Sequence, residues 1–217
     1  MFLGHFGLAL ASKRVAPRVS LATSVLAAQF ADTLWPILVL TGAERVAIAP
    51  GDTVVTPLRF ENYPYSHSLL TLCAWGCVFA GIHYALRRQA RAAAVLGALV
   101  VSHWVLDYVA HRPDMPLTPW TPQLLGLGLW NSLPLTLLAE GGLFGMGVFL
   151  TFRSTRALDR IGHYGLVGLL VFLVVAYLGA TFGPPPPSVS VLGWTSVAAP
   201  AILIPMLAWV DRHRAPR

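Results

Sequence analysis

Six long apolar runs govern what this chain can fold into. They cover residues 19–41, 68–86, 92–111, 132–152, 162–182 and 190–210. A helix needs about 20 residues, at about 1.5 Å of rise each, to cross a hydrocarbon core about 30 Å thick, and each run is long enough. Hydrophobic residues make up 56% of the chain and charged residues only 11%, so a water-soluble fold would have far more apolar surface than it could cover. The sequence therefore predicts an all-α, polytopic membrane helical bundle with about six transmembrane helices. Residues 2–12 are apolar but too short to cross, and are expected to form a short N-terminal half-helix.

Basic residues punctuate these runs regularly. Lys13, Arg14 and Arg18 precede the first; Arg87, Arg88 and Arg91 follow the second; Arg153, Arg156 and Arg160 follow the fourth; Arg212, Arg214 and Arg217 follow the last. The alternate loops, 42–67, 112–131 and 183–189, carry only Arg45, Arg59 and Arg112. Six crossings place all four basic clusters on one side, which the positive-inside rule makes cytoplasmic. The N-terminal basic cluster and the C-terminus are thus expected in the cytoplasm, in a membrane like the bacterial inner membrane. The net charge of +6 reads as topology, and no nucleic-acid partner is expected. Neither a leader peptide nor a second domain is expected, so residues 1–217 read as one integral membrane domain. Within it, 42–67 forms an outer loop or cap, given its prolines and mixed charges. Cys73 and Cys77, four apart in an apolar run, read as helix thiols.

Ionisable side chains inside spanning helices are costly and ask for partners. Asp32, His103, Asp107 and Glu140 stand in such runs, with His5 in the half-helix and His67 at an outer helix mouth. Counted from the nearest basic cluster, Asp32 lies ~21 Å up, His103 ~18 Å, Asp107 ~24 Å and Glu140 ~20 Å. These residues are therefore expected at one level, in the outer half of the membrane, and a tilt of the half-helix would bring His5 to it.

The segment SHWVLDYVAHRPD is the richest. His103, Asp107 and His111 follow at i, i+4 and i+8, which aligns them on one helix stripe. Imidazole and carboxylate are the ligands that suit zinc and similar divalent ions, and two of them one turn apart can hold a metal from a rigid element. The alternative is a buried His–Asp pair that merely ties helices together. His83 and His163, near cytoplasmic arginines, read as structural. His111, Arg112 and Asp114 sit at the membrane edge, where an ordinary solvated ion pair competes with ligation.

Taken in order, Gly4-His5, the Asp32 of QFADTLWP, YSHSLL at 65–70, and HWVLDYVAH followed by LTPW resemble the bacterial membrane-bound metal-dependent hydrolase family. That resemblance extends from Gly4 to Trp120. It implies a ligand set of His5, Asp32, His67, His103 and Asp107. Two departures reduce the family's ligand complement: Leu34 occupies the place of a second acid, and Asn62 and Tyr63 replace a further His. The ligand order is also similar to that of zinc-dependent phospholipase C and S1-type nucleases, which hydrolyse phosphodiesters.

The expected function is a membrane-embedded, metal-dependent hydrolase using Zn2+ or a similar divalent ion. His5, Asp32, His67, His103, Asp107 and His111 are the candidate ligands. Asp114 and Glu140 are the candidates for general base or orienting group. A site opening toward lipid headgroups favours a membrane lipid or lipid-linked phosphoester as substrate. Trp104, Tyr108 and Trp120 are candidates to seat it, or plain interfacial anchors. A metal or proton transporter built on the same residues, and a non-catalytic scaffold, remain open as alternatives.

Overall fold

The computed structural model describes residues Met1–Arg217, and helix accounts for 68% of them against 9% strand. The helices are α1 (Leu3–Ala11), α2 (Leu21–Ala28), α3 (Phe30–Leu40), α4 (Pro64–His67), α5 (Leu69–Arg87), α6 (Ala90–Ala110), α7 (Leu133–Ser154), α8 (Leu166–Phe182) and α9 (Val189–Arg212). A π-helical turn, Ile161–Gly165, leads into α8. Five helical segments are long and apolar enough to cross a membrane, and α2 with α3 makes a sixth if the pair, bent by 55°, is one span. Their outward faces carry large apolar side chains such as Leu138, Phe172 and Ile202, the reverse of a water-facing bundle.

Short strands close the ends. At one end β1 (Arg45–Ile48) pairs antiparallel with β2 (Leu58–Asn62), and β3 (Met115–Pro116) pairs with β4 (Leu124–Leu125). At the other, basic end β5 (Thr155–Ala157) pairs with β6 (Arg214–Pro216), tying the end of α7 to the chain beyond α9.

Two glycine contacts set how closely the helices approach. A Cβ on Gly7 would lie 2.6 Å from the Leu143 carbonyl oxygen, and one on Gly147 only 2.2 Å from the Gly7 carbonyl. Half-helix α1 therefore lies with its backbone directly against α7, as small residues allow between apolar helices. Gly76 and Gly97 do the same for the α5–α6 hairpin. Because α1 leaves its first N–H groups without helical partners, Glu140 of α7 accepts from Phe2 N and Gly4 N at 3.0 Å each. The half-helix is thus fixed at both levels, and His5 with it.

The break between α2 and α3 serves the same end. Gln29 interrupts the helix with φ −100° and ψ 15°, so α3 begins afresh and Asp32 falls in its first turn. A carboxylate there is favoured by the helix dipole, and the end of α2 offers carbonyls that its own helix does not use.

Candidate metal centre

The six candidate ligands meet: His5, Asp32, His67, His103 and Asp107 stand on four helices, and His111 lies just past the end of α6. Asp107 is the hub. Its Oδ1 lies 3.1 Å from His5 Nε2, and its Oδ2 lies 3.1 Å from His103 Nε2 and 3.8 Å from both His67 Nε2 and His111 Nε2. Asp32 Oδ1 joins at 3.5 Å from His67 Nε2 and 3.6 Å from His103 Nε2. The N-terminal amino group also lies against Asp107 Oδ1. His5 stacks on His103, with ring centres 3.8 Å apart and planes within 4°. All four imidazoles and Asp107 are buried, whereas the Asp32 side chain is 44% exposed, lining a cavity.

Which nitrogen of each ring carries the proton follows from the partners. His103 Nδ1 lies 2.8 Å from the Ala28 carbonyl at the end of α2; a carbonyl only accepts, so Nδ1 donates. Ser66 Oγ donates its one proton to Glu44 Oε2 at 2.6 Å and lies 2.7 Å from His67 Nδ1, so here too Nδ1 donates. His111 Nδ1 lies 2.9 Å from Asp114 Oδ1. In the neutral ring each of these three therefore turns the lone pair of Nε2 toward the carboxylates of Asp32 and Asp107.

Acceptors facing acceptors in a buried site repel unless a cation lies between them. Protons on the rings would serve, and so would a metal ion. The donor chemistry fits the latter: His103 Nε2 is a buried nitrogen with no hydrogen-bond partner, and carboxylate or carbonyl support behind each ring is what metal-ligating histidines use. Two groups have ligand atoms all within 4.8 Å of one another: His5, His103 and Asp107; and Asp32, His67 and His103. With Nδ1 engaged, His103 has one lone pair, so it can serve only one ion at a time.

Asp114 and Glu140 stand behind the cluster. Asp114 accepts from the Tyr63 hydroxyl at 2.7 Å, from His111, and from Arg112 Nε at 3.3 Å. Far from being a solvated edge residue, it is buried. Burial, and then the charge of Asp114, hold the Tyr63 hydroxyl well above its ordinary pKa, so it stays a donor. Glu140 uses both oxygens on the backbone of α1.

The expected stripe on α6 is realised with one change. The helix ends at Ala110 and His111 takes an extended conformation, yet its ring returns to Asp107. Trp104 donates to the Pro116 carbonyl at 3.0 Å and stacks on Tyr108, while Trp120 is exposed; none of the three lines the cavity beside the cluster. Sequence reasoning passed over Glu44, Ser66 and Tyr63. Glu44 lies more than twenty positions from the ring it supports, and no spacing rule connects them. Set against models of protein families, curated proteins and solved structures, the chain matches none.

Proposed function

We propose that the protein is a membrane-embedded, metal-dependent hydrolase acting on a lipid or lipid-linked phosphoester. One observation carries it: three imidazoles, each with its Nδ1 proton committed elsewhere, turn Nε2 toward the carboxylates of Asp32 and Asp107, of which the N-terminal ammonium meets Asp107. His103 would hold the ion together with His5 and Asp107 or with Asp32 and His67, with His111 beside Asp107 as a further donor, and zinc is favoured by the nitrogen and oxygen donors. A divalent ion held there supplies Lewis acidity and lowers the pKa of a bound water toward ~7.

The remaining work falls to the chain. Asp32 and Asp107 offset the charge of the ion, and burial strengthens that attraction. Glu44 through Ser66, Asp114, and the Ala28 carbonyl hold the rings of His67, His111 and His103 at fixed tautomers and angles. Glu140 acts through α1 to hold His5, and Asp114 acts through His111. We assign both carboxylates an orienting part, since their oxygens are already engaged with donors. The motif order resembling the membrane-bound metal-dependent hydrolase family supports the same reading. Where that family has a further His, Tyr63 here donates to Asp114, which fits a site of reduced ligand number. The orientation that places the basic clusters in the cytoplasm puts the cluster toward the outer face of the membrane.

Bound zinc, manganese and iron should be measured in purified wild type and in His103→Ala and Asp107→Ala, alongside hydrolysis of a panel of phospholipids and lipid phosphates. Stoichiometric metal in wild type, lost in both variants together with turnover, is the expected result. A wild type that carries no metal and takes none up would overturn the assignment. Metal without turnover on any lipid phosphoester would remove the hydrolase reading and leave a metal-binding or transport protein.

A further inference from the structure

A cavity of about 830 Å³ opens beside the cluster, with Asp32, His67, Asp107 and His111 among its lining. That is near the upper end of the roughly 300–1,000 Å³ typical of ligand sites. Its other walls are strongly apolar. On α8 they run along the helix from Leu169 to Ala180, and on α9 from Leu192 to Val210. At 1.5 Å per residue the α9 wall alone extends ~27 Å, most of the ~30 Å thickness of a hydrocarbon core. A slot that is polar at one end and apolar over the depth of a membrane matches one kind of molecule: a charged head on a long hydrocarbon chain.

The slot has a side opening. Though consecutive in the chain, α8 and α9 meet only sparingly, because α9 packs mainly on α2 and α3. Phe172, Ile202 and Trp209 line the cavity and are also 57%, 63% and 49% exposed, so they form a rim reached from the surrounding apolar phase. Near the head end, the lining residues Gln29 and Trp35 each carry a buried polar atom, Oε1 and Nε1 respectively, without a hydrogen-bond partner. Trp35 is only 6% exposed, and a buried indole N–H left unsatisfied costs free energy unless something accepts from it.

We propose that this slot seats the hydrocarbon tail of a long-chain phosphoester, admitted sideways between α8 and α9, while Trp35 donates a hydrogen bond to its headgroup. Occupancy by such a substrate rests on the reading of the cluster as the reacting end. Ala176 on α8 and Ala199 on α9 are among the small residues that line the slot, so bulk added at either should narrow or shorten the tail it accepts.

The test uses the full-length protein in phosphatidylcholine nanodiscs, with a phosphatidic acid carrying a diazirine near the end of one acyl chain as probe. After photolysis, peptide mapping should place the label on α8 and α9 residues lining the slot. Ala176→Trp and Ala199→Trp should each reduce that label to background with bound metal unchanged, which shows the bundle intact. Trp35→Phe keeps the ring and removes the donor; competition by unlabelled phosphatidic acid should then weaken by roughly tenfold. Label spread over outward faces such as Ile82 on α5, indifferent to the slot variants, would mean ordinary surrounding lipid and would overturn the proposal. Slot labelling without hydrolysis of any phosphoester would leave the slot standing and remove the hydrolase; hydrolysis unaffected by the slot variants would do the opposite.

Discussion

Buried charge occurs at both ends of this bundle, and the two ends treat it differently. At the basic end Lys13 is buried, yet its ammonium donates to the Val19 carbonyl at 2.7 Å and pairs with Asp211 at 3.0 Å. Arg214 donates to the Gly162 carbonyl at 2.6 Å and to Thr155 Oγ1 at 2.8 Å. Donors there meet acceptors, so the network closes on itself. Around Asp107 the balance differs: the N-terminal ammonium meets Oδ1, but histidine nitrogens with lone pairs also face the carboxylate oxygens, and His5 Nδ1 and His103 Nε2 lack hydrogen-bond partners. A closed network locks the fold, whereas an open one leaves room for a proton or a cation.

The largest separation between the two ends should appear in stability without metal. Lys13→Met leaves the Asp211 carboxylate without its cation and should lower stability by about 3–5 kcal/mol, read as thermal unfolding in detergent; Lys13→Met with Asp211→Asn should recover most of it. Asp32→Asn, in contrast, removes a half-exposed carboxylate that faces only the rings of His67 and His103, and should leave metal-free stability unchanged or higher. Equal losses from Lys13→Met and Asp32→Asn would erase the distinction.

A smaller effect probes the support behind the rings. Asp114→Asn keeps the shape and weakens the acceptor for His111 Nδ1, and should reduce metal affinity by about 10–100-fold, measured by competition with a chelator. Ser66→Ala, which breaks the relay from Glu44 to His67, should fall in the same range. No change in either would mean that the rings are positioned by packing alone.

The smallest effect concerns the loops over the cluster. Asp52 binds Arg59 at 2.7 Å and also pairs with Arg112, next to His111. The Arg59 hydrogen bond, and then the charge of Arg112, hold the Asp52 carboxyl below its ordinary value. A depressed folded-state pKa contributes stability that is present above the unfolded value, about 3.9, and is lost as pH falls through the folded value. Hydrogen exchange in 45–62, corrected for intrinsic rate, should therefore be steady down to about pH 4 and loosen below it. In Asp52→Asn that acid step should shrink.

The spans were readable because hydrophobic length is a local property: each predicted run coincides within a few residues with a helix or with the bent α2–α3 pair. The pairing of His103 with Asp107 was readable for the same reason, since four residues make one helical turn. Depth counting from the basic clusters placed Asp32 near that pair, and the two meet. The break at Gln29 was not readable, because an apolar run of that length equally suits one straight helix. Nor was the end of α6 at Ala110, which sends His111 back by a different route from the expected stripe.

By itself the sequence determined the number and length of the apolar helices, their punctuation by arginine, and which residues had chemistry to offer. Those follow from the dielectric of the surroundings and the helical repeat, both of which act on neighbours along the chain. Tertiary structure alone decided that α1 would lie backbone to backbone on α7, that Glu44 would reach His67 through Ser66, and that α8 and α9 would leave a slot between them. Such contacts join residues far apart in sequence, and close packing selects them only once the helices have met.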